Sequence, residues 1–359
     1  MNRRGFLKGT ALAAGGSAAA LAAPAYAQGK RQLTLVTSWA RGMAGLHDAA
    51  QACADRITAL TDGQLTVELK AAGELVGAFE VFDAVSAGQA DMYHSGDYYF
   101  VNQHPAYAFF ATVPFGMTAQ EQINWYYRAD GHALHDELGQ IFGLKSFLAG
   151  NTGSQAGGWY RREITSPEDF QGLKFRMPGL GGQALGKLGA SVQNIPGGEV
   201  YQALSTGAID GTEWVGPWAD EKAGFFEVAE YYYTAGFHEP GTALSLATNR
   251  DLFESLTPVQ QGIIETVAAQ VHQETLAQFL SENGAALARL SGQGVRLMTF
   301  PDSVWDAFGQ AAIEALEENR DGDIYDRVLD SYRASMKSSS AWIQASEGTY
   351  RAQRDRVMG

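Results

Sequence analysis

Arg176 ends a short alternating run, Leu173-Lys174-Phe175-Arg176-Met177, that stops at Pro178-Gly179. An arginine at a strand end is well placed for an anion, because ligands of open α/β sheets sit beyond the carboxyl ends of the strands. Its guanidinium is always charged and can grip a carboxylate through two parallel hydrogen bonds. Glu213 poses the complementary problem. It lies in Asp210-Gly211-Thr212-Glu213-Trp214-Val215-Gly216-Pro217-Trp218, an acid among apolar residues in a glycine-rich turn. A buried carboxylate there needs a cation, whether an arginine, a lysine or a metal ion. Asn151 and Gln155 stand in a third polar segment, Asn151-Thr152-Gly153-Ser154-Gln155-Ala156-Gly157-Gly158-Trp159. Each can give a carbonyl oxygen to a cation or an amide N–H to a carboxylate. Singly, each also has an ordinary reading: a surface salt bridge for Arg176, an exposed loop acid for Glu213, a plain loop for 151–159.

Other chemistries lack their residues. The pair His132-x-x-His135 has no acid or cysteine companion at zinc spacing and reads as capping or decorating a helix. There is no Gly-x-Ser-x-Gly elbow, phosphate loop or dinucleotide fingerprint; Gly179-Leu180-Gly181-Gly182 follows a strand but lacks the third-glycine spacing. Cys53 is the single cysteine, so an intramolecular disulfide and a cysteine metal cluster are excluded, and its setting reads as a buried helix face.

The elements that must position these residues alternate. A strand at Gln32–Ser38, a helix at Leu46–Leu60, a strand at Leu65–Lys70 and a helix at Glu80–Ala87 read as an α/β unit with a largely parallel sheet. The grammar returns with a capped turn at Ser166-Pro167, the strand at 173–177 and a helix at Glu199–Ser205. Glu80–Asp91 and Glu199–Asp210 match at six of twelve positions (Glu, Val, Ala, Ser, Gly, Asp). Each reads as a helix, a glycine stop and entry into a strand. Two lobes carrying one such unit each would face across a cleft, a common place for a small-molecule site. Thr257-Pro258 opens a run to about Gln293, long enough to be a spine along both lobes, and Asp302–Asn319 and Ala341–Met358 read as further helices.

Asn2-Arg3-Arg4-Gly5-Phe6-Leu7-Lys8, an apolar stretch to Ala23 and Ala25-Tyr26-Ala27 have the layout of a secretory leader, and the paired arginines point to the twin-arginine route. The leader carries Arg3, Arg4 and Lys8 and no acid, so the net charge of −14 becomes −17 without it. That balance argues against nucleic acid or an anionic membrane surface as partner, yet a local arginine can still dominate a cleft. The expectation is an exported, periplasmic protein that binds a small carboxylate. The rival from another class is an exported oxidoreductase, which the missing cofactor motif opposes.

Ala71-Ala72-Gly73-Glu74-Leu75, Phe170–Arg176, Glu199–Leu204 through Gly207 and Asp210–Trp214 together resemble the substrate-binding subunit of tripartite ATP-independent periplasmic (TRAP) transporters. The resemblance covers essentially the whole mature chain. Asn151–Trp159, Glu213–Pro217, Lys222-x-Gly224-Phe225-Phe226 and Tyr231-Tyr232-Tyr233 resemble the branch that binds 2-oxo acids such as pyruvate, or the 2-hydroxy acid lactate. The resemblance implies a two-lobe, type II-like α/β binding protein that delivers its ligand to membrane permease subunits. It implies that Arg176 forks onto the ligand carboxylate. It implies that a metal ion, sodium or calcium, is held by the Gln155 side chain, the Glu213 carboxylate and the Trp214 carbonyl, with Tyr98, Asn151 and Glu239 completing the pocket. The branch includes dimers that exchange a C-terminal helix, so a homodimer is expected. The expected division is a leader at 1–27, a first lobe at 28–150 with about 235–275 returning to it, a second at 151–234 with about 276–325 returning, and a helical extension at 326–359. Three features depart from the family pattern: Asp97 stands where a neutral residue is expected, His238-Glu239-Pro240-Gly241 differs, and Trp39 matches loosely. A polyol, a C4-dicarboxylate or an aromatic acid remains open as ligand in the same binding role.

Overall fold

The structure, a computed structural model, describes residues 29–359. The expected leader, with its paired arginines, lies outside the described residues. Among the described residues, eleven strands form two sheets. They are β1 Arg31–Thr37, β2 Leu65–Lys70, β3 Met92–Ser95, β4 Leu144–Asn151, β5 Gly158–Tyr160, β6 Lys174–Arg176, β7 Ser191–Gln193, β8 Gly211–Thr212, β9 Tyr231–Tyr233, β10 Ala243–Asn249 and β11 Arg296–Met298. The first sheet has the order β2-β1-β3-β10-β4 and the second β11-β9-β5-β8-β6-β7.

The sheets are more mixed than the strand–helix alternation suggests. β10 runs antiparallel to both β3 and β4. β5 runs antiparallel to both β8 and β9. The reason is the double crossing between halves. The chain leaves the first sheet at the end of β4 and re-enters it at the start of β10, and the two crossing segments lie side by side. Thr152 N–H reaches Thr242 O at 2.9 Å, Gln155 N–H reaches Glu239 O at 2.9 Å, and Gly236 N–H reaches Gln155 O at 3.2 Å. That ladder brings residues 151–158 against 234–242.

The helices follow their apolar spacing. Helix Leu46–Leu60 buries Leu46, Ala49, Ala50, Cys53, Ala54 and Ile57, one face at a period of 3.6, against the first sheet. Cys53 is fully buried there, and burial pushes its thiol up to about 12, which leaves it inert. Helix Pro258–Gly292 is the spine. Its Thr257 cap accepts from Gln260 N–H while the Gln260 side chain accepts from Thr257 N–H, with Pro258 in the first turn. At 35 residues it is about 50 Å long. It packs on β4 and helix Leu46–Leu60 of the first half and on helix Pro217–Ala223 of the second. No helix among the described residues is long and apolar enough to cross a membrane.

The expected helical extension at 326–359 is helical but begins earlier and is divided differently from the separate helix read at Ala341–Met358. Between helix Asp302–Glu318 and the tail lies a helix, Gly322–Ile343, which buries Tyr325, Val328, Leu329 and Tyr332 on one face. The tail helix begins at Thr349 rather than 341 and continues that same rod through one wider turn, Gln344–Gly348. Trp342, Tyr350, Val357 and Met358 project from it and are each more than 60% exposed.

Candidate functional site

Each lobe delivers its groups through strand ends. β6 ends at Arg176, and β8, its parallel neighbour, ends one residue before Glu213. Glu213 N–H donates to Arg176 O at 3.2 Å, so the two residues are held side by side by the sheet before their side chains meet. Gly158 makes the approach possible. It has φ +105°, and a Cβ there would stand 2.5 Å from Thr212 O and 3.0 Å from Glu213 Cα.

The side chains of Arg176 and Glu213 form a direct ion pair with both residues at most 1% exposed. Arg176 Nε donates to Ile195 O at 3.1 Å, and its guanidinium lies 5.2 Å from the centre of the Trp214 ring. Burial lowers the arginine's pKa, but Glu213, Tyr99 and Tyr98 together outweigh it and shift the group further up, so it stays charged. From the first lobe, Tyr99 Oη accepts from Arg176 at 3.4 Å. The cation that a buried Glu213 requires is therefore present within the chain, yet Glu213 Oε2 has no hydrogen-bond partner among the described residues.

The crossing segments close the remaining sides. Gln155 is buried, its amide N–H donates to Thr152 Oγ1 at 3.0 Å, and its carbonyl oxygen Oε1 has no partner among the described residues. Asn151 Oδ1 accepts from Gly153 N–H at 2.8 Å, and its amide donates one hydrogen to Gln122 Oε1 at 3.3 Å, which leaves a second amide hydrogen. Glu239 is buried and accepts from Thr242 Oγ1 at 2.6 Å. Burial, then the charge of Glu213, raise its pKa well above the usual carboxylate range against the pull of Thr242 and Arg176. Tyr98 is buried beside it; burial and the charge of Glu239 raise its pKa well above the ordinary tyrosine value.

The structure thus brings Arg176, Glu213, Trp214, Glu239 and Tyr98 together between the sheets, and sets Gln155, and with it the segment that begins at Asn151, alongside Glu239 and Val215 through backbone hydrogen bonds. It adds a residue the sequence reading does not single out. His238 Nε2 lies 3.4 Å from Glu213 Oε2, close enough for a charge contact though not aligned as a hydrogen bond. One ligand atom from each of Glu213, His238 and Glu239 falls within a span of 4.8 Å. The available signal is the departure from the family pattern at 238–241. The unpaired oxygens of Gln155 and Glu213 suit a hard cation such as sodium or calcium.

Two expectations change. Asp97 does not face the cleft: it is fully buried, with Oδ2 accepting from Ser245 Oγ at 2.7 Å and lying 3.0 Å from His135 Nε2. His135 therefore does not decorate a helix surface. Its ring stacks on Phe110 at 4.1 Å, and Asp97 anchors the short turn Asp97–Phe100 that carries Tyr98 and Tyr99. Trp39, the loose match, is a buried wall whose Nε1–H donates to His94 Nδ1 at 2.9 Å.

Comparison with known proteins agrees with this geometry. Residues 38–321 match the DctP model, described as bacterial extracellular solute-binding protein, family 7. A monocarboxylate 2-oxoacid-binding periplasmic protein of Nostoc sp. is 38% identical over 317 residues, covering 88% of this chain and 87% of that protein. The structure of a TRAP periplasmic solute binding protein from Pseudoalteromonas atlantica with bound sodium and pyruvate superposes with a TM-score of 0.87 at 37% identity, covering 90% of this chain and 99% of that one. One from Colwellia psychrerythraea with bound calcium and pyruvate gives 0.87, 37%, 90% and 99%. The chain belongs to the DctP family of TRAP solute-binding proteins, which are receptors and not enzymes.

Proposed function

We propose that this chain captures a small 2-oxo monocarboxylate such as pyruvate, or a 2-hydroxy acid such as lactate, outside the cytoplasm and delivers it to TRAP membrane permease subunits. The observation that carries the reading is the buried Arg176–Glu213 pair between the sheets, with one unpaired oxygen on Glu213 and another on Gln155 of the adjoining crossing segment. The pyruvate-bound neighbours and the 2-oxoacid-binding relative support the choice of ligand.

Arg176 holds the ligand carboxylate through its fork, in competition with Glu213 for the same guanidinium. Glu213, Gln155 and the Trp214 carbonyl would hold the cation. A bound sodium or calcium ion would supply positive charge beside Glu213 and the ligand's oxygens, so that Glu213 would no longer depend on Arg176 alone for its counter-charge. Asn151 donates its spare amide hydrogen, and Tyr98 and Glu239 bound the far side. Closure of the lobes excludes water, which strengthens each of these contacts.

The proposed lobes are residues 28–150 with about 235–275, and 151–234 with about 276–325. Export by the twin-arginine route to the periplasm is read from the leader. A homodimer built on the extension 326–359 is supported by the exposed Trp342, Tyr350 and Met358.

Thermal melting of protein freed of ligand and metal tests the reading. Pyruvate at 100-fold over its Kd should stabilise by about 2.7 kcal/mol, and added sodium or calcium should increase the gain at a fixed pyruvate concentration. An unchanged melting temperature across 2-oxo and 2-hydroxy acids, with either cation present, overturns it.

A further inference from the structure

Beside Glu239 the cleft continues into a small space bounded by Tyr98, Thr112, Leu180, His238 and Glu239. It is narrow: the space open to the centre of a water-sized group is about 10 Å3, room for about one heavy atom such as a terminal hydroxyl. One wall is helix Gly179–Lys187, which begins three residues after Arg176. Gly181 lets that helix lie against His238, since a Cβ there would stand 2.7 Å from His238 Cβ. The space is therefore adjacent to the carboxylate grip and is built from both lobes and a crossing segment.

Its walls are polar for an enclosed space. Thr112 is 6% and His238 2% exposed. Thr112 Oγ1 and both ring nitrogens of His238 have no hydrogen-bond partner among the described residues. Buried polar groups without partners are costly, and a ligand that pairs with them removes that cost. A methyl or alkyl tail offers nothing to them, whereas a hydroxyl can both donate and accept. A site built to pair with a hydroxyl discriminates strongly against the analogue that lacks it.

We infer that this space receives the tail of the bound acid, and that it selects a 2-oxo acid bearing a hydroxyl or similar hydrogen-bonding group next to the keto carbon over one with an alkyl chain. Thr112 and His238 are the determinants. The inference rests on the carboxylate-binding reading above and narrows it to a substrate class.

Two acids of nearly the same size test it: 3-hydroxypyruvate and 2-oxobutyrate, which differ by a hydroxyl in place of a methyl. Calorimetric titration in sodium- and calcium-containing buffer should give the hydroxylated acid a Kd at least about tenfold lower, the effect of one buried hydrogen bond. Thr112→Val, which keeps the shape and removes the hydroxyl, should bring the ratio of the two Kd values toward one. His238→Gln should also change that ratio. Equal or tighter binding of 2-oxobutyrate by the unaltered protein overturns the inference and leaves the carboxylate reading standing. A ratio unchanged in both variants overturns the assignment to Thr112 and His238. Failure of both acids and of pyruvate to bind overturns the carboxylate reading, and this inference with it.

Discussion

The two halves share a joint and divide the chemistry. In the first, helix Val81–Ser86 gives way to Gly88 at φ +72°, and Asp91 then accepts from Thr34 N–H of β1 at 2.7 Å. In the second, helix Gly197–Thr206 gives way to Gly207 at φ +76°, and Asp210 accepts from Lys174 N–H of β6 at 2.9 Å. Helix, left-handed glycine and an aspartate tying the next strand to its neighbour recur as one unit. What the halves present to the cleft is different. The first offers Trp39, Tyr98 and Tyr99, neutral groups, with Asp97 turned inward. The second offers Arg176 and Glu213. Fixed charge is thus confined to one face of the cleft and to the crossing segments, and the other face supplies aromatic walls. An ion pair exposed in an open cleft is screened by water, and the neutral wall is what removes that water on closure.

Unequal sensitivity to substitution is the largest expected effect of this division. Arg176→Met leaves Glu213 buried without its cation, beside Glu239 and His238. Removing one partner of a buried pair costs about 3–5 kcal/mol, and pyruvate binding should be lost. Tyr99→Phe removes one hydrogen bond at 3.4 Å and should cost about 1 kcal/mol. Chemical denaturation and calorimetric titration of both variants measure the contrast. Equal losses in the two, or unchanged pyruvate affinity in Arg176→Met, break the comparison.

Much of this division is legible in the amino-acid sequence. The spacing of Leu46 to Ile57 and the Thr257-Pro258 start carry local signals strong enough to place two helices nearly to the residue. The joint echo is visible because it is a local pattern repeated. Arg176 and Glu213 can each be singled out, but not their pairing, since it depends on β6 lying beside β8 across 37 residues. The Asp97–His135 contact spans 38 residues and is equally hidden. Helix Gly322–Ile343 lies within the expected helical extension at 326–359 except for its first four residues, where Tyr325 already shares the helical spacing of Val328, Leu329 and Tyr332. Its start at Asp321-Gly322-Asp323 reads as a turn.

The interiors differ in sign as well. His94, in the first sheet, accepts at Nδ1 from Trp39 and presents Nε2 to Ala149 O, which fixes a neutral ring. Burial lowers its pKa to about 4. Burial lowers His272, on the spine against the first half, to about 4 as well. In the second half, burial raises Asp220 to about 7, against the pull of Val215 N–H, Trp159, Tyr232 and Gly216 N–H. A histidine depressed in this way binds fewer protons folded than unfolded. Its contribution is complete above the unfolded value of 6.5 and is lost as pH falls to about 4. Asp220 has the opposite sense: its contribution is complete below 3.8 and is lost as pH rises to about 7. Stability measured by denaturant titration between pH 4 and 6.5 should therefore respond oppositely to two substitutions. His94→Gln should flatten the rise with pH by about 1.4 kcal/mol per unit, and Asp220→Asn should steepen it by a similar amount. Slopes that move the same way would show that the two interiors are not opposed.

The repeated joint allows the finest test. Gly88 and Gly207 hold nearly the same backbone angle. A Cβ on Gly88 would meet nothing within 4 Å, whereas one on Gly207 would come 3.0 Å from Arg161 Nη1, the far end of a long, flexible side chain. If both glycines are present for the left-handed conformation, alanine at either site carries the same backbone penalty, about 1–2 kcal/mol. The arginine can move aside at the second site, so the two losses should agree to within a few tenths of a kcal/mol in matched denaturation curves. A marked excess at position 207 would mean that the second half depends on the Arg161 contact with Ser205 O and that its glycine serves packing. Equal losses would mean that both halves close this turn for the same reason. The difference between them would then lie entirely in the side chains they turn toward the cleft.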